Sequence, residues 1–426
     1  MVILCWMIGA VVLVLAAIGA AVCLGLAALV WPRRASPLVG AGPDTGQDAR
    51  SLGQLIAAAD GRATHIVFVH GMAAEGPGGS AVFRQGLARH VAAAAAGAAQ
   101  QARWFCDLGP RPEVRYVGTE IWATQDDWTA SRPFVDRYVF PGPAGPIVVD
   151  EVNWWPLLFP LKIRALLVPE VDLAGGDAGH LKLAARGDGA YHPWIDGAEL
   201  KRLLATRSRS GGAAFLNGEM KRNTMDWGLA DTPIVLGPMR KYIHRAMNQA
   251  FAHAQDCVRE HTGGHEFVIV SESLGSFVVL DAAAGADGET ASVRQVVAET
   301  SDLYFLANQF ALLELARLGG VAADPTAAAA PEQNHSVLRA WAASPAPVRA
   351  GETEARVKQI VSFSDPSDLL TFPVPRIPPD PGQPPVRVVN VYDRNEFSFL
   401  RLFANPLNAH LGHSRNRAVM ARIFEG

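Results

Sequence analysis

Ser273 is the residue whose type and setting are best suited to nucleophilic chemistry. It stands in the sequence IVSESLGSF, between a run of strand type and an apolar stretch that predicts a helix over 277–284. A strand, a small-x-Ser-x-Gly turn and a helix form a nucleophile elbow, in which small neighbours permit the sharp turn that exposes the hydroxyl. Ser271 replaces the first glycine of the usual motif, but it is small. The alternative interpretation is a serine that only caps the helix.

A second element of this chemistry is the sequence His70-Gly71-Met72, which follows an apolar run of strand type at 65–69. In an elbow-type site, a loop after an early strand supplies one N–H to the developing oxyanion, and the residue after the nucleophile supplies the other. These positions predict Met72 and Leu274 as the oxyanion-hole donors. Gly71 permits the close backbone approach, and we interpret His70 as a residue that shapes the loop. An ordinary glycine turn is the alternative.

An acid is expected on a loop that follows a strand end and faces the elbow. The predicted strand at 357–363 ends in the sequence SDPSDLL, and both Asp365 and Asp368 meet this requirement. We favour Asp368 as the catalytic acid, because the apolar residues after it would hold the loop against the core. Asp365 is the alternative. Aspartates also serve turns and caps, so one of the two can orient a base while the other shapes the turn.

A histidine after the last predicted strand, at 386–391, completes the residue types that serine catalysis needs. The sequence NPLNAHLGH contains two histidines, and we favour His410 over His413 as the base. The base takes the proton of the serine hydroxyl and returns it to the leaving group, while an aspartate holds its tautomer. The chain order is then serine, aspartate, histidine. A surface histidine near the C-terminus is the alternative interpretation.

The elements that would position these residues alternate between strand-type and helical stretches. Apolar runs without strict alternation, separated by helices, predict an α/β domain over 51–426 with a mostly parallel sheet covered on both faces. Residues 156–229 contain several Gly, Asp, Trp and Pro residues and are predicted to form a cap-like insertion. Further strands are predicted at 114–122, 147–154, 267–270 and 303–307, and helices at 81–99, 233–260 and 415–424.

Residues 1–34 are predicted to form a transmembrane anchor. No charged side chain precedes Arg33, and at ~1.5 Å rise per residue an apolar helix of this length exceeds the ~30 Å hydrocarbon core. A cleaved signal peptide is the alternative, but it needs a basic segment before the apolar run. Residues 35–50, rich in Gly and Pro, predict a flexible linker. Arg33 and Arg34 follow the apolar run, and by the positive-inside tendency they predict a cytoplasmic domain.

The overall composition argues against two other classes of protein. The net charge of -3 carries no basic excess, which argues against a nucleic-acid partner. Four cysteines in 426 residues are too few for a disulfide framework. We expect Cys106 and Cys257 to be buried free thiols.

Over residues 63–426 the chain resembles the α/β-hydrolase superfamily of lipases and esterases. The resemblance rests on the motifs HGM (His70–Met72), SESLG (Ser271–Gly275), SDPSDLL (Ser364–Leu370) and AHLGH (Ala409–His413). In lipase-like members an aromatic residue commonly stands at the position that His413 occupies. The resemblance implies an α/β-hydrolase fold and acyl-ester hydrolysis through an acyl-serine, without metal or cofactor. It does not fix the substrate, because this fold hosts many reactions.

Three functions are compatible with this set of residues. The first is a carboxylic-ester hydrolase, for which the membrane segment and the apolar sequence WWPLLF at 154–159 favour a lipid ester, although the same run is equally suited to a core. The second is an acyltransferase or thioesterase that uses the same triad. The third is a non-catalytic, membrane-anchored binding protein on a hydrolase fold, and the survival of all four motifs in order argues against it.

Overall fold

A ten-stranded sheet forms the centre of the chain in the computed structural model. The structure describes residues 38–39, 49–71, 79–116, 118–122, 124–167, 184–185, 191–194, 229–259, 264–285, 288–315, 336–344, 357–377, 379, 385–395, 398–399, 403–404 and 406–426. The strands of the sheet are β1 (Leu38–Val39), β2 (Ala63–Val69), β3 (Ala99–Gln100), β4 (Trp104–Phe105), β5 (Phe134–Phe140), β6 (Ile147–Asn153), β7 (His265–Glu272), β8 (Asp302–Leu306), β9 (Gln359–Ser364) and β10 (Arg387–Tyr392).

The sheet is mostly parallel, as the sequence predicts. Its spatial order is β1-β10-β9-β8-β7-β2-β6-β5-β3, and β4 also pairs with β5. Strands β10 to β6 in this order run parallel to one another, and only the strands at the two edges pair antiparallel. The carboxyl ends of the central strands β7, β8 and β9 therefore point in the same direction, and the loops that follow these strands can meet.

Helices flank the sheet. They are α1 (Leu52–Ala57), α2 (Ala81–His90), α3 (Gln125–Ala130), α4 (Phe159–Lys162), α5 (Asp231–Leu236), α6 (Arg240–Arg259), α7 (Leu274–Ala283), α8 (Ala291–Glu299), α9 (Phe310–Leu315), α10 (Ser336–Ala343), α11 (Pro406–Leu411) and α12 (Arg417–Glu425). Short 3-10 turns occur at Ala92–Ala96, Trp155–Leu157, Gly288–Thr290 and His413–Arg415, and a π-helical turn occurs at Ile163–Leu167.

The two faces of the sheet are buried in separate hydrophobic clusters. In β2, Val67 and Val69 pack into the cluster built with α6, α7 and α8, whereas Ile66 and Phe68 pack into the cluster built with α1, α2 and α12. All seven residues of β2 are buried. Burial on both faces explains why the central strands read as continuous apolar runs in the sequence.

The prediction of a strand at 114–122 is wrong. This stretch forms a small hairpin, Arg115–Tyr116 paired with Thr119–Glu120, that is separate from the central sheet. Gly118 has a φ of 82°, a left-handed conformation that suits a tight turn and interrupts a strand. The strand β5, which lies between β6 and β3, was in turn not predicted, because Asp136 and Arg137 interrupt its apolar pattern.

The predicted helix over 233–260 is divided into α5 and α6. The division falls at Gly237 and Pro238, where the proline lacks the N–H that a continuous helix would need. Two other short hairpins pair Ala184–Ala185 with Tyr191–Trp194 and Ser398–Phe399 with Phe403–Ala404.

Three predicted segments lie wholly or largely outside the described residues. They are the anchor at 1–34, most of the linker at 35–50, in which Leu38–Val39 form β1, and most of the insertion at 156–229. Within the described ranges, no helix has both the length and the apolar character needed to span a membrane. Cys106 and Cys257 are buried thiols that are not joined in a disulfide, as expected.

Candidate active site

Ser273 lies in a sharp turn between strand β7 and helix α7. Its φ of 50° and ψ of -123° are unusual for a non-glycine residue, and such a conformation costs on the order of 1–3 kcal/mol unless the surroundings enforce it. The Ser273 N–H donates to Leu306 O at the end of β8 over 2.7 Å. The Ser276 hydroxyl donates to Ser273 O over 2.8 Å. These bonds hold the serine in the geometry that the small-x-Ser-x-Gly motif predicts.

Two glycines allow the loop after β2 to lie directly against this turn. A Cβ atom on Gly71 would lie 2.6 Å from Ser273 Cβ, and one on Gly275 would lie 2.5 Å from His70 O. Both distances are too short for real atoms, so any larger residue would push the two segments apart. The backbone around Gly71 is therefore next to Ser273, where the sequence analysis predicts an oxyanion-hole loop.

A hydrogen-bonded chain joins Ser273, His410 and Asp368. Ser273 Oγ lies 2.7 Å from His410 Nε2, and His410 Nδ1 lies 2.7 Å from Asp368 Oδ2. With a proton on Nδ1, His410 donates to the carboxylate and its Nε2 accepts from the serine hydroxyl. In the chain, His410 lies 137 positions after Ser273 and 42 positions after Asp368. All three residues are buried.

The two candidate aspartates have different hydrogen-bond partners in the structure. Asp368 accepts from His410, from the Thr371 hydroxyl and from Leu370 N at 2.9 Å. Burial by itself would raise the pKa of Asp368, but the hydrogen bond and charge of His410 lower it below its usual value. Asp365 instead accepts from the backbone N–H groups of Ser367 at 2.7 Å and Asn395 at 2.6 Å. Asp365 thus shapes the loop on which Asp368 stands.

His413, the alternative base, lies beside the chain of hydrogen bonds but outside it. The residue is 2% exposed, and neither ring nitrogen has a hydrogen-bond partner among the described residues. Burial lowers the pKa of His413 to about 3, although the charge of Asp368 opposes this effect. The ring is therefore neutral at physiological pH and makes no contact with Ser273 that would let it accept a proton.

A second histidine–carboxylate pair lies near Ser273, and its histidine lines the same pocket. His70 Nε2 lies 2.8 Å from Glu151 Oε1, and the other ring nitrogen lies 3.8 Å from Glu272 Oε2. Burial opposes a charge on His70, but the two glutamates outweigh it and raise its pKa to about 10. Burial by itself would raise the pKa of Glu151, but the hydrogen bonds from His70 and Ser80 and the charges of His70 and Arg84 together lower it to about 2. The pair is an imidazolium and a carboxylate at physiological pH.

Sequence reasoning did not identify Glu151 or Glu272 as part of this region. Asp150 and Glu151 are two adjacent carboxylates in the middle of the otherwise apolar run IVVDEV, and both are fully buried. Buried carboxylates are retained only where they have partners. This interruption was the available signal for Glu151, although it does not reveal which residues are its partners.

A pocket opens in front of Ser273. Its apolar wall is formed by Val82, Trp155, Leu306, Ala307 and Leu411, and its polar wall by His70, Glu272, His410, His413, Ser414 and Arg415. Within the sequence WWPLLF, Trp154 is fully buried and donates from Nε1 to His70 O over 2.7 Å. Trp155 reaches the pocket. The run therefore serves mainly as core and contributes one wall of the site.

Of the two predicted oxyanion-hole donors, Leu274 is among the described residues and Met72 is not. Leu274 is the first residue of α7, and the first N–H groups of a helix have no intrahelical partner and carry the positive end of its dipole. The N–H of Leu274 is thus suited to a negative charge that forms near Ser273. Met72 lies in 72–78, outside the described residues.

Comparison with protein-family models, with curated proteins and with solved structures finds no match to this chain. The geometry alone must therefore carry the assignment. Within the described ranges, no group of three or more His, Cys, Asp or Glu residues is arranged to hold a metal ion.

This arrangement has the parts that acyl transfer to a serine needs. Ser273 can attack a carbonyl carbon, because its hydroxyl faces the pocket and its proton can move to His410. Asp368 accepts a hydrogen bond from His410, and its carboxylate would stabilise an imidazolium at this position. A helix N-terminus lies where the oxyanion would develop.

Proposed function

We propose that the chain is a serine hydrolase of the α/β-hydrolase superfamily that cleaves carboxylic esters. The observation that carries this proposal is the hydrogen-bonded chain Ser273–His410–Asp368. Its serine occupies a left-handed turn, and the three residues follow β7, β9 and β10 in the order serine, aspartate, histidine. The parallel sheet and the strand–turn–helix setting of Ser273 support the superfamily.

In the proposed reaction, Ser273 Oγ attacks the ester carbonyl carbon while its proton moves to His410 Nε2. The carbonyl oxygen becomes an oxyanion that accepts from Leu274 N–H, with Met72 as the proposed second donor. The tetrahedral intermediate then collapses, the alkoxide leaves with the proton from His410, and an acyl-serine remains. A water molecule attacks the acyl-serine, gives its proton to His410 and releases the acid, after which the proton returns to Ser273.

The walls of the pocket support an ester that has an apolar acyl part. Trp155, Val82 and Leu411 offer apolar surface within the same pocket as Ser273. We propose a lipid ester as the substrate class, because residues 1–31 contain no charge and would hold the enzyme at a membrane. The anchor at 1–34 and a cytoplasmic position of the domain are part of this proposal.

A series of p-nitrophenyl esters with increasing acyl length tests this function on the full-length protein. We expect hydrolysis by the wild type and a loss of at least about four orders of magnitude in kcat/KM for Ser273→Ala. Equal rates for the two proteins would refute the assignment of Ser273. Product analysis with a competing alcohol, and parallel assays with a thioester, would distinguish hydrolysis of esters from acyl transfer and thioester cleavage.

A further inference from the structure

Glu151 holds the two ends of the segment that follows β2. Its Oε1 accepts from His70 Nε2 over 2.8 Å, and its Oε2 accepts from the Ser80 hydroxyl. His70 and Ser80 stand on either side of residues 71–79. The Glu151 side chain is fully buried, and Ser80 is also fully buried. One carboxylate thus connects two positions that are ten residues apart in the chain.

Each of these two contacts leads to a glycine that lines the pocket at Ser273. His70 is bonded to Gly71, which lies so close to Ser273 that a Cβ atom on it would be 2.6 Å from Ser273 Cβ. Ser80 is bonded to Gly79, where a Cβ atom would be 2.6 Å from Cε1 of the His70 ring. A shift of the His70 ring would therefore push against Gly79, which has no free space beside the ring, and would act on Gly71 through the His70 backbone.

We propose that Glu151 is a positioning residue for the serine chemistry: through His70 it holds the backbone at Gly71 next to Ser273, and through Ser80 it holds Gly79 against the His70 ring. This inference rests on the proposed function and extends it to a residue that does not contact the substrate. It predicts that the charge of Glu151, and not only its shape, is needed for a full reaction rate.

The electrostatic surroundings explain why a charged pair is suited to this position. His70 faces Glu151 on β6 and Glu272 at the end of β7, and both carboxylates favour its protonated form. Beyond Glu151, Arg84 of α2 donates from Nε to Ser80 Oγ over 3.0 Å. A protonated ring donates from both nitrogens, whereas a neutral ring can donate from only one. Loss of the charge of Glu151 would therefore loosen the orientation of the ring.

The variant Glu151→Gln removes this charge and keeps the size of the side chain. Asp136→Asn is the matched control, since Asp136 is opposite Glu151 in the register of β5 and β6, is also fully buried, and forms an ion pair with Arg103. It lies one strand farther from His70. Ser80→Ala is a milder second variant, which removes only one of the two hydrogen bonds to Glu151.

Kinetics on the full-length variants with p-nitrophenyl butyrate give the first measurement. We expect Glu151→Gln to lower kcat roughly 10- to 100-fold with little change in KM, and Ser80→Ala to lower kcat by a smaller factor in the same direction. Asp136→Asn should keep the kcat of the wild type. If Glu151→Gln and Asp136→Asn give the same kcat, the positioning role is refuted. If Glu151→Gln does not fold, an unchanged kcat for Ser80→Ala refutes it.

A titration of the His70 ring by NMR gives a measurement that needs no activity. The ring signal is assigned by its absence in His70→Asn. In the wild type we expect His70 to stay protonated above pH 8, and in Glu151→Gln we expect its pKa to fall toward the usual value of about 6.5. The kcat of Glu151→Gln should then decline with rising pH over the same range, a step absent from Asp136→Asn. A His70 that titrates alike in both proteins contradicts the inference.

These outcomes are separable from failure of the proposed function. If the wild type hydrolyses no ester but His70 titrates as expected, the serine chemistry is wrong and the proposed positioning role for catalysis is wrong with it. If the wild type is active and Glu151→Gln is equally active, only the role of Glu151 is wrong.

Discussion

Two histidine–carboxylate pairs lie near Ser273, and they differ in the surroundings of the second ring nitrogen. In the pair His410–Asp368, the second nitrogen lies 2.7 Å from Ser273 Oγ. In the pair His70–Glu151, the second nitrogen faces another carboxylate, that of Glu272, at 3.8 Å. The same two residue types are thus suited to different tasks.

The comparison shows what a general base requires beyond a histidine and an acid. A base must have one nitrogen that can accept a proton from the reacting group. His410 meets this condition because Nε2 faces a neutral hydroxyl. His70 does not, since two carboxylates raise its pKa to about 10 and keep it protonated. A permanently charged ring is better suited to holding neighbouring segments in place than to transferring protons.

Substitution of the two histidines should separate these tasks most clearly. We expect His410→Ala to lower kcat/KM by about four to six orders of magnitude, because the serine then has no base. His70→Asn should cost roughly 10- to 100-fold, because it disturbs positioning alone. Initial rates with p-nitrophenyl butyrate measure both. Equal losses of kcat/KM in the two variants would contradict the separate roles of the pairs His410–Asp368 and His70–Glu151.

The two aspartates offer a comparable test on one loop. Asp368→Asn should lower kcat by about four orders of magnitude, because the amide no longer favours the tautomer of His410 that accepts from Ser273. Asp365→Asn should change kcat by less than about tenfold and reduce the free energy of unfolding by about 1–2 kcal/mol, through its weakened bonds to two backbone N–H groups. Kinetics and urea denaturation of both variants measure these effects. A larger loss of kcat in Asp365→Asn would reverse the assignment.

The charge of His70 should make stability depend on pH. Its pKa is raised from 6.5 to about 10 in the folded chain, so its contribution is fully present below pH 6.5 and is lost as pH rises toward 10. The stability difference between wild type and His70→Gln should therefore shrink by at least about 1 kcal/mol over this range. Urea denaturation at several pH values checks this. A constant difference would show that folding does not raise the pKa of His70.

His413 should give the smallest effect of the three histidines near Ser273. Both of its ring nitrogens are buried without a partner in the described part of the chain, and such groups are costly to keep. We expect His413→Leu to keep kcat within about threefold and to raise the free energy of unfolding by up to about 2 kcal/mol. Thermal denaturation with kinetics on the same sample tests this. A loss of kcat like that of His410→Ala would make His413 the base.

The parts of the site that could be predicted from the sequence are those with local signals. Ser273 stands between a recognisable strand and helix, and Asp368 and His410 each follow a predicted strand in the expected order. Parallel strands bring their carboxyl ends to one edge, so residues far apart in the chain were expected to meet. The choice of Asp368 over Asp365 rested on the apolar residues that follow it, and the structure brings Asp368 to His410.

The contacts of Glu151 could not be predicted, because they depend on which strands are neighbours. β2 and β6 pair directly in the sheet, with Val69 opposite Val152, although 83 positions separate these residues in the chain. Nothing local to Glu151 indicates that His70 and Ser80 are its partners. The hairpin at 115–120 was missed for a related reason, since an apolar run does not reveal whether it joins the central sheet.

The most direct test of the central claim is covalent labelling of the full-length protein with a fluorophosphonate, followed by mass spectrometry of the labelled peptide. The probe reacts with a serine only when its hydroxyl is activated as a nucleophile. We predict one adduct, on Ser273, that is absent in Ser273→Ala and strongly slowed in His410→Ala. A folded wild-type protein that carries no adduct on Ser273 would contradict the account.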